Sequence, residues 1–148
     1  VGRQKILKKK LDKVITLETG DSENLKFNDN TFDAVTVAFG VRNYENLQKG
    51  LKEMCRVMKV GGTVAILEFS KPKSFPFKQI YSSYFKYILP GFGRFISKHN
   101  EAYTYLPDSV HEFSEDKAFL MEMEKAGYKE TGQKRLTFGI STLYFGTK

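Results

Sequence analysis

Arg42 and Asn43 stand directly after a short apolar run, Ala34-Val-Thr-Val-Ala38, and the pair Phe39-Gly40. An Arg brings a permanent positive charge and a fork of donors, and an Asn brings both a donor and an acceptor. A second apolar run, Thr63-Val-Ala-Ile-Leu67, is followed by Glu68-Phe69-Ser70. If both runs are neighbouring strands, Glu68 and Ser70 lie near the Arg42 loop. Glu68 could then orient Arg42 or take part in proton transfer. The plainer alternative, a solvated Arg and a solvated Glu at two strand ends, stays open at this point. Cys55 is read as a buried structural thiol, since a nucleophile needs an exposed electropositive niche. His99 and His111 are isolated, with no nearby Cys and no spaced second ligand, so metal binding is not expected.

The elements that would position these residues follow from the pattern. An apolar Val-rich run bounded by turn signals reads as a buried strand, and Asn28-Asp29-Asn30 supplies the turn before residues 34–38. Gly40 lets the backbone turn, or pass close to something, just beyond the strand end. Residues 43–46 start a helix that runs to about Met58. Leu47, Leu51, Met54, Cys55 and Met58 form one apolar stripe along it. Gly61-Gly62 ends that segment and introduces the second strand. Strand, helix and strand with continuously apolar strands imply a parallel sheet buried on both faces. Ligands in open α/β sheets bind beyond the carboxyl ends of the strands, which is where residues 39–43 and 68–70 fall.

Upstream, residues 2–11 read as the end of a helix, and Val14-Ile-Thr-Leu-Glu18 as a strand. Residues 23–30 are a polar excursion anchored by Leu25 and Phe27. Downstream, residues 71–99 hold eight aromatics and six Lys or Arg, with no acid. This reads as a helical insertion, up to about residue 113: a lid over an apolar substrate, a membrane-surface element, or aromatics packed on the sheet. Gly91-Phe-Gly93 follows no strand and is not a nucleotide fingerprint. Ser114 is read as the cap of a helix with Glu115 and Asp116 in its first turn, ended by Gly127. Residues 128–137 and 140–146 form a terminal hairpin turning at Phe138-Gly139.

The chain of 148 residues suffices for one domain with a real core. A net charge of +7 favours an anionic partner: nucleic acid, a phosphate-bearing ligand or an acidic membrane surface. One Cys excludes an internal disulfide and suits a reducing compartment. No stretch approaches the ~20 apolar residues of a membrane span. The start at Val1 suggests a fragment or a processed product.

The order of strand, Gly20-Asp-Ser-Glu-Asn-Leu-Lys-Phe27, strand, helix, Gly-Gly, strand, helix and hairpin resembles the C-terminal two-thirds of a class I S-adenosylmethionine-dependent methyltransferase. Three stretches narrow the resemblance: residues 39–43, residues 67–72, and Tyr103-Thr-Tyr-Leu-Pro-Asp-Ser109. Together they are similar to the UbiE/MenG family, the C-methyltransferases of ubiquinone and menaquinone biosynthesis. The resemblance implies a partial Rossmann-like sheet, mostly parallel with a C-terminal antiparallel hairpin. It implies methylation of a prenylated quinol at ring carbon with S-adenosylmethionine as cofactor. Asp21 and Ser22 match the segment that contacts the adenine. Ala38, Phe39 and Gly40 would line the methionine side of the pocket. Arg42 would stand beside the quinol and stabilise the quinolate, with Asn43 and Tyr105 fixing the ring and Glu68 on the substrate side. The aromatic insertion suits a polyprenyl tail.

That family also uses a Gly-rich loop after the first strand and an acidic residue after the second, and neither can be placed in this sequence. The expectation is therefore a truncated single domain that binds cofactor weakly or not at all and is inactive alone. The strand at residues 14–18 would be separated from that at 34–38 by a gap. The chain would close it by direct pairing, leave an edge, or pair with another chain, so self-association through exposed strand edges is expected. The expected location is cytoplasmic, with peripheral contact to the inner face of the membrane as an option. The competing readings are a nucleic-acid methyltransferase, which is disfavoured because the basic residues interleave with apolar ones, and a non-catalytic membrane-surface or partner-binding module.

Overall fold

The structure, a computed structural model, describes residues 2–84, 113 and 115–148. Tyr105, His99, His111, Ser114, Tyr87, Ile88 and the Gly91-Phe-Gly93 stretch lie outside the described residues. Helix α1 (Gly2–Lys8) buries none of its residues. It stops three residues before the expected end, and Lys10 then takes a left-handed φ of 54°.

Residues 14–18 do not form the expected strand. Val14, Ile15 and Leu17 are exposed. A β-rich run becomes a strand only where a neighbour accepts its ladder and its side chains find a surface to pack on. Here no strand among the described residues does so. The direct pairing of residues 14–18 with β1 is not met, and among the described residues β1 pairs with β2 alone.

Four strands form one mixed sheet in the order β1-β2-β4-β3: β1 (Phe32–Ala38), β2 (Met58–Phe69), β3 (Lys129–Leu136) and β4 (Ser141–Thr147). β1 and β2 run parallel, with Ala38 opposite Leu67. β4 enters antiparallel beside β2, setting Glu68 opposite Thr142, and β3 pairs antiparallel with β4. The parallel share is smaller than the sequence suggests because residues 14–18 add no strand.

Helix α2 (Leu47–Val57) connects the parallel pair. Its start is set by Asn46, whose side chain accepts from the Lys49 N–H, and Asn46 adopts the extended backbone of an N-cap. α2 passes into β2 without a loop. Gly61, at φ 78°, therefore makes a bulge inside β2 rather than ending the helix, and β1 and β2 shift register there. Helix α3 (Phe77–Ser83) precedes the undescribed stretch, and helix α4 (Lys117–Lys125) leads into β3. Asp116, not Ser114, is the residue preceding α4, and Glu115 and Asp116 lie ahead of the first turn. The end of α4 is as expected. Gly127 takes φ 105°, its N–H reaches Glu124 O, and the Tyr128 N–H reaches Met123 O. This is the double hydrogen bond of a Schellman ending.

α2 and α4 share one core with β2 and β4: Leu51, Met54, Cys55, Val64, Ile66, Phe119, Met123 and Tyr144. Gln48 Nε2 donates to Glu122 O and Oε2, and Tyr128 OH donates to Leu51 O, so the helices are tied as well as packed. Burial on both faces is only half met. Val64, Ile66 and Glu68 of β2 are buried, whereas Ala65, Leu67 and Phe69 on the opposite face are partly covered, and β1 is largely open. Cys55 is buried as expected, and burial pushes its thiol up, away from reactivity.

Candidate active site

β1 delivers the chain to the sheet's carboxyl edge, and the turn there is made by Phe39 rather than Gly40. Phe39 holds φ 57°, whereas Gly40 sits at an ordinary −121°. A left-handed bulky residue costs about 1–3 kcal/mol and persists only where its surroundings fix it. Three contacts do so. The Phe39 N–H donates to Leu67 O at 2.8 Å, which continues the β1–β2 ladder. The Phe39 ring packs on Phe69 with centroids 4.4 Å apart. The Phe39 carbonyl accepts from Arg42 Nη1 at 2.7 Å. Gly40 serves close approach instead, since a Cβ there would meet Val37 Cγ1 at 3.3 Å.

Beyond this turn, a single 3-10 turn at Val41–Asn43 drops Arg42 over the end of β2. Arg42 Nη1 donates to Glu68 Oε2 at 3.0 Å, and the Arg42 N–H donates to Glu68 Oε1 at 3.3 Å. The side chains are 10% and 0% exposed. The guanidinium carbon also lies 5.3 Å from the centre of the Phe69 ring, within reach of a cation–π contact. Neither the solvated Arg nor the solvated Glu is present. A buried carboxylate needs a partner of this kind, because an unpaired charge would carry a desolvation penalty of several kcal/mol. Glu68 thus stands beneath Arg42 and accepts from it twice and from the Phe69 N–H at 3.3 Å. Asn43, next in the turn, is exposed. Ala38 closes β1, also exposed.

Ser70 is buried one residue beyond the site. Its hydroxyl donates to Gly139 O and accepts from Thr142 Oγ1, both at 2.9 Å. These bonds clamp the end of β2 to the β3–β4 turn, so Ser70 is part of the frame.

Asp21 and Ser22 reach the same region by another route. Arg56 of α2 donates to Leu25 O, Phe27 O and Asp29 Oδ1, and the Leu25 N–H donates to Glu53 Oε2. The polar excursion at residues 23–30 is thereby strapped along α2. Glu23 Oε1 accepts the Asn46 N–H at 3.1 Å, and Asp21 Oδ1 accepts the Glu23 N–H at 2.8 Å. Tyr44 joins the halves. Its hydroxyl donates to Met54 Sδ at 3.9 Å, and burial raises the phenol, with Ser22 opposing the rise and the charges of Glu23, Glu68 and Asp21 adding to it. Tyr44 and Phe69 are the residues that sequence reasoning passed over. The available signal was Gly50: a Cβ there would stand 2.3 Å from the Tyr44 ring, so a glycine six residues after a tyrosine marks where that ring lies on α2.

The profile of the ubiE/COQ5 methyltransferase family matches residues 1–148. A demethylmenaquinone methyltransferase of Bacteroides fragilis is 45% identical over 148 residues, covering 100% of this chain and 60% of the relative. A ubiquinone/menaquinone biosynthesis C-methyltransferase UbiE of Geobacter sulfurreducens is 46% identical over 100% of this chain and 57% of its own length. The chain therefore spans about 60% of the length of such relatives. Among solved structures, a SAM dependent methyltransferase from Aquifex aeolicus superposes with a TM-score of 0.61 at 18% identity, over 97% of this chain and 60% of that one. At that identity the likeness shows the fold, a partial Rossmann-like α/β domain. With the family profile matched from end to end and relatives above 40% identical, the chain belongs to the ubiE/COQ5 methyltransferase family.

Proposed function

We propose that this chain is the substrate-facing part of an S-adenosylmethionine-dependent enzyme that methylates a ring carbon of a prenylated quinol. The observation that carries the reading is the Arg42–Glu68 pair, seated under a left-handed Phe39 at the carboxyl end of two parallel strands. Relatives named for quinone C-methylation support it.

The residues present fit the cofactor in outline. Asp21 offers an exposed carboxylate to an amino group, and Ala38 and Phe39 stand exposed at the carboxyl end of β1 with Gly40. S-adenosylmethionine, when bound, supplies an electrophilic methyl group. Asp21 and Ser22 would hold its adenine, and Ala38, Phe39 and Gly40 would line its methionine side. Arg42 acts on the substrate. A quinol carbon becomes nucleophilic when the adjacent hydroxyl loses its proton, and a guanidinium already fixed by Glu68, Phe39 O and Phe69 stabilises the resulting oxyanion without reorganising. Glu68 is a positioning residue for Arg42. Asn43 orients the ring from the open side of the turn, and Tyr105 shares that task.

The test is methyl transfer to a reduced prenylated naphthoquinone by the whole enzyme carrying this chain. Arg42→Lys keeps the charge but loses the fork, so kcat falls about a hundredfold while the affinity for S-adenosylhomocysteine is retained. An Arg42→Ala enzyme with unchanged kcat would overturn the assignment.

The Gly-rich loop of the family is not in these 148 residues. Self-association of the chain is expected at the side of β1 that no strand among the described residues covers.

A further inference from the structure

The turn at the end of β1 suits glycine better than the residue that makes it. Phe39 holds a left-handed φ of 57°, a region that glycine enters freely and a bulky residue enters at a cost. Two of the three contacts that fix it come from its backbone: the N–H that donates to Leu67 O and the carbonyl that accepts from Arg42. Any residue but proline supplies both. Only the stacking on Phe69 depends on the ring. That contact leaves Phe39 outside the buried core, at 37% exposure. Such a pair returns part of the strain and not all of it. The ring is thus held at the strand end, partly open, by a turn that does not need it.

Its neighbours indicate what it meets. Phe69 carries Phe39 on one side, with centroids 4.4 Å apart and planes tilted by 30°, and the Arg42 guanidinium 5.3 Å from its centre. The three groups form one cluster, a cation beside two aromatic rings. A planar molecule whose oxyanion meets Arg42 brings its own ring to Phe39. Two adjacent rings offer a longer apolar shelf than a single benzene ring covers, and a fused bicyclic ring covers more of it. The backbone of residues 38–40 is the part that would border the cofactor, which leaves the Phe39 ring for the substrate.

We propose that the Phe39 ring, seated on Phe69, is the face on which the substrate's aromatic ring stacks, and that it selects a fused bicyclic quinol over a monocyclic one. The proposal rests on the quinol-methylation reading and adds to it the residue that senses ring size.

The whole enzyme carrying this chain is assayed with a reduced prenylated naphthoquinone and a reduced prenylated benzoquinone, each lacking the methyl group. Phe39→Gly suits the turn, and circular dichroism verifies that the fold is kept. Its KM for the naphthoquinol rises about tenfold or more. Its KM for the benzoquinol rises less, and that for S-adenosylmethionine is unchanged. Phe39→Leu, apolar but without a flat face, behaves in the same way, and Phe39→Trp restores the naphthoquinol KM. A purely structural role would not separate the two quinols. An unchanged naphthoquinol KM, equal rises for both quinols, or a rise for S-adenosylmethionine alone overturns the proposal. Binding is read apart from turnover by the emission that Phe39→Trp adds over the parent, since these 148 residues contain no Trp. The oxidised naphthoquinone quenches that emission, and it leaves Val60→Trp, 82% exposed near the amino end of β2, unquenched. Quenching at Phe39→Trp with no methyl transfer to either quinol overturns the methylation reading and supports the stacking. Methyl transfer to the naphthoquinol without quenching at Phe39→Trp, or equal quenching of Val60→Trp, overturns the stacking alone.

Discussion

At the residue scale, the proposed chemistry rests on how Glu68 holds Arg42. Glu68→Gln keeps the shape but turns one acceptor into a donor facing a guanidinium. Breaking a buried pair from one side leaves the other charge uncompensated, so stability falls by about 2–3 kcal/mol. Chemical denaturation checks this, and Arg42→Met in the same background recovers part of the loss. Asp116 carries a separate, pH-dependent effect. Burial pushes its carboxyl up, but donation from Lys73 and Arg135, and their charges, outweigh this and hold it below the ordinary 3.8. Glu115 lies 4.0 Å from the same Arg135. A depressed native value means the stabilisation is present above the unfolded value and is lost as pH falls through the folded one. The denaturation midpoint of Asp116→Asn therefore lies below that of the parent near neutral pH, and the gap closes below about pH 4. A gap that stays constant into acid would assign the loss to packing rather than charge.

At the element scale, α2 carries the fold and aims the site. Its buried residues anchor the core, its Glu53 and Arg56 strap residues 25–29, and its first turn receives Tyr44. Gly50→Ala separates two opposing effects. Helix propensity favours Ala by about 1 kcal/mol, but the new Cβ would stand 2.3 Å and 2.4 Å from two Tyr44 ring carbons. Overpacking of this kind costs about 1–3 kcal/mol, so the clash wins. The variant is destabilised, and moving Tyr44 also disturbs Ser22 and Asp21. Thermal melts test the first effect and cofactor titration of the whole enzyme the second. A more stable Gly50→Ala would mean the ring swings aside freely. The hairpin shows how neighbours rather than propensity place an element. β4 lies inside the sheet because Tyr144, fully buried among Phe119 and Ile66, gives it a core face. Its phenol, raised by burial, accepts the Asp116 N–H at 2.9 Å.

At the scale of the whole molecule, association is expected at the outer edge of β1. β1 pairs with β2 on one side, and among the described residues no strand covers the other. Calorimetric titration of S-adenosylhomocysteine into the 148-residue chain, with light scattering in the same buffer, is expected to give little heat and a mass above the 17.0 kDa of one copy. Thr36→Lys, an exposed position on β1, puts a charge at that edge and shifts the mass toward the monomer. Clear one-to-one binding by a monomer would mean that Asp21, Ser22 and residues 38–40 form a sufficient pocket.

The sequence by itself determined the elements whose signals are local. The Val-rich run of β1, the apolar stripe of α2, the Gly127 ending and the terminal hairpin could all be read from spacing, because each rests on contacts within a few residues. It also placed Arg42 and Glu68 at the carboxyl edge, since topology alone puts strand ends there. Tertiary structure decided the rest. Residues 14–18 have the composition of a strand but no neighbour to complete the ladder. Phe39 rather than Gly40 takes the left-handed turn, because Leu67, Phe69 and Arg42 fix it from three sides. The choice between solvated charges and a buried pair at Arg42 and Glu68 was equally undecidable from sequence. Burial depends on residues such as Phe69 and Thr142 that only the folded sheet brings alongside.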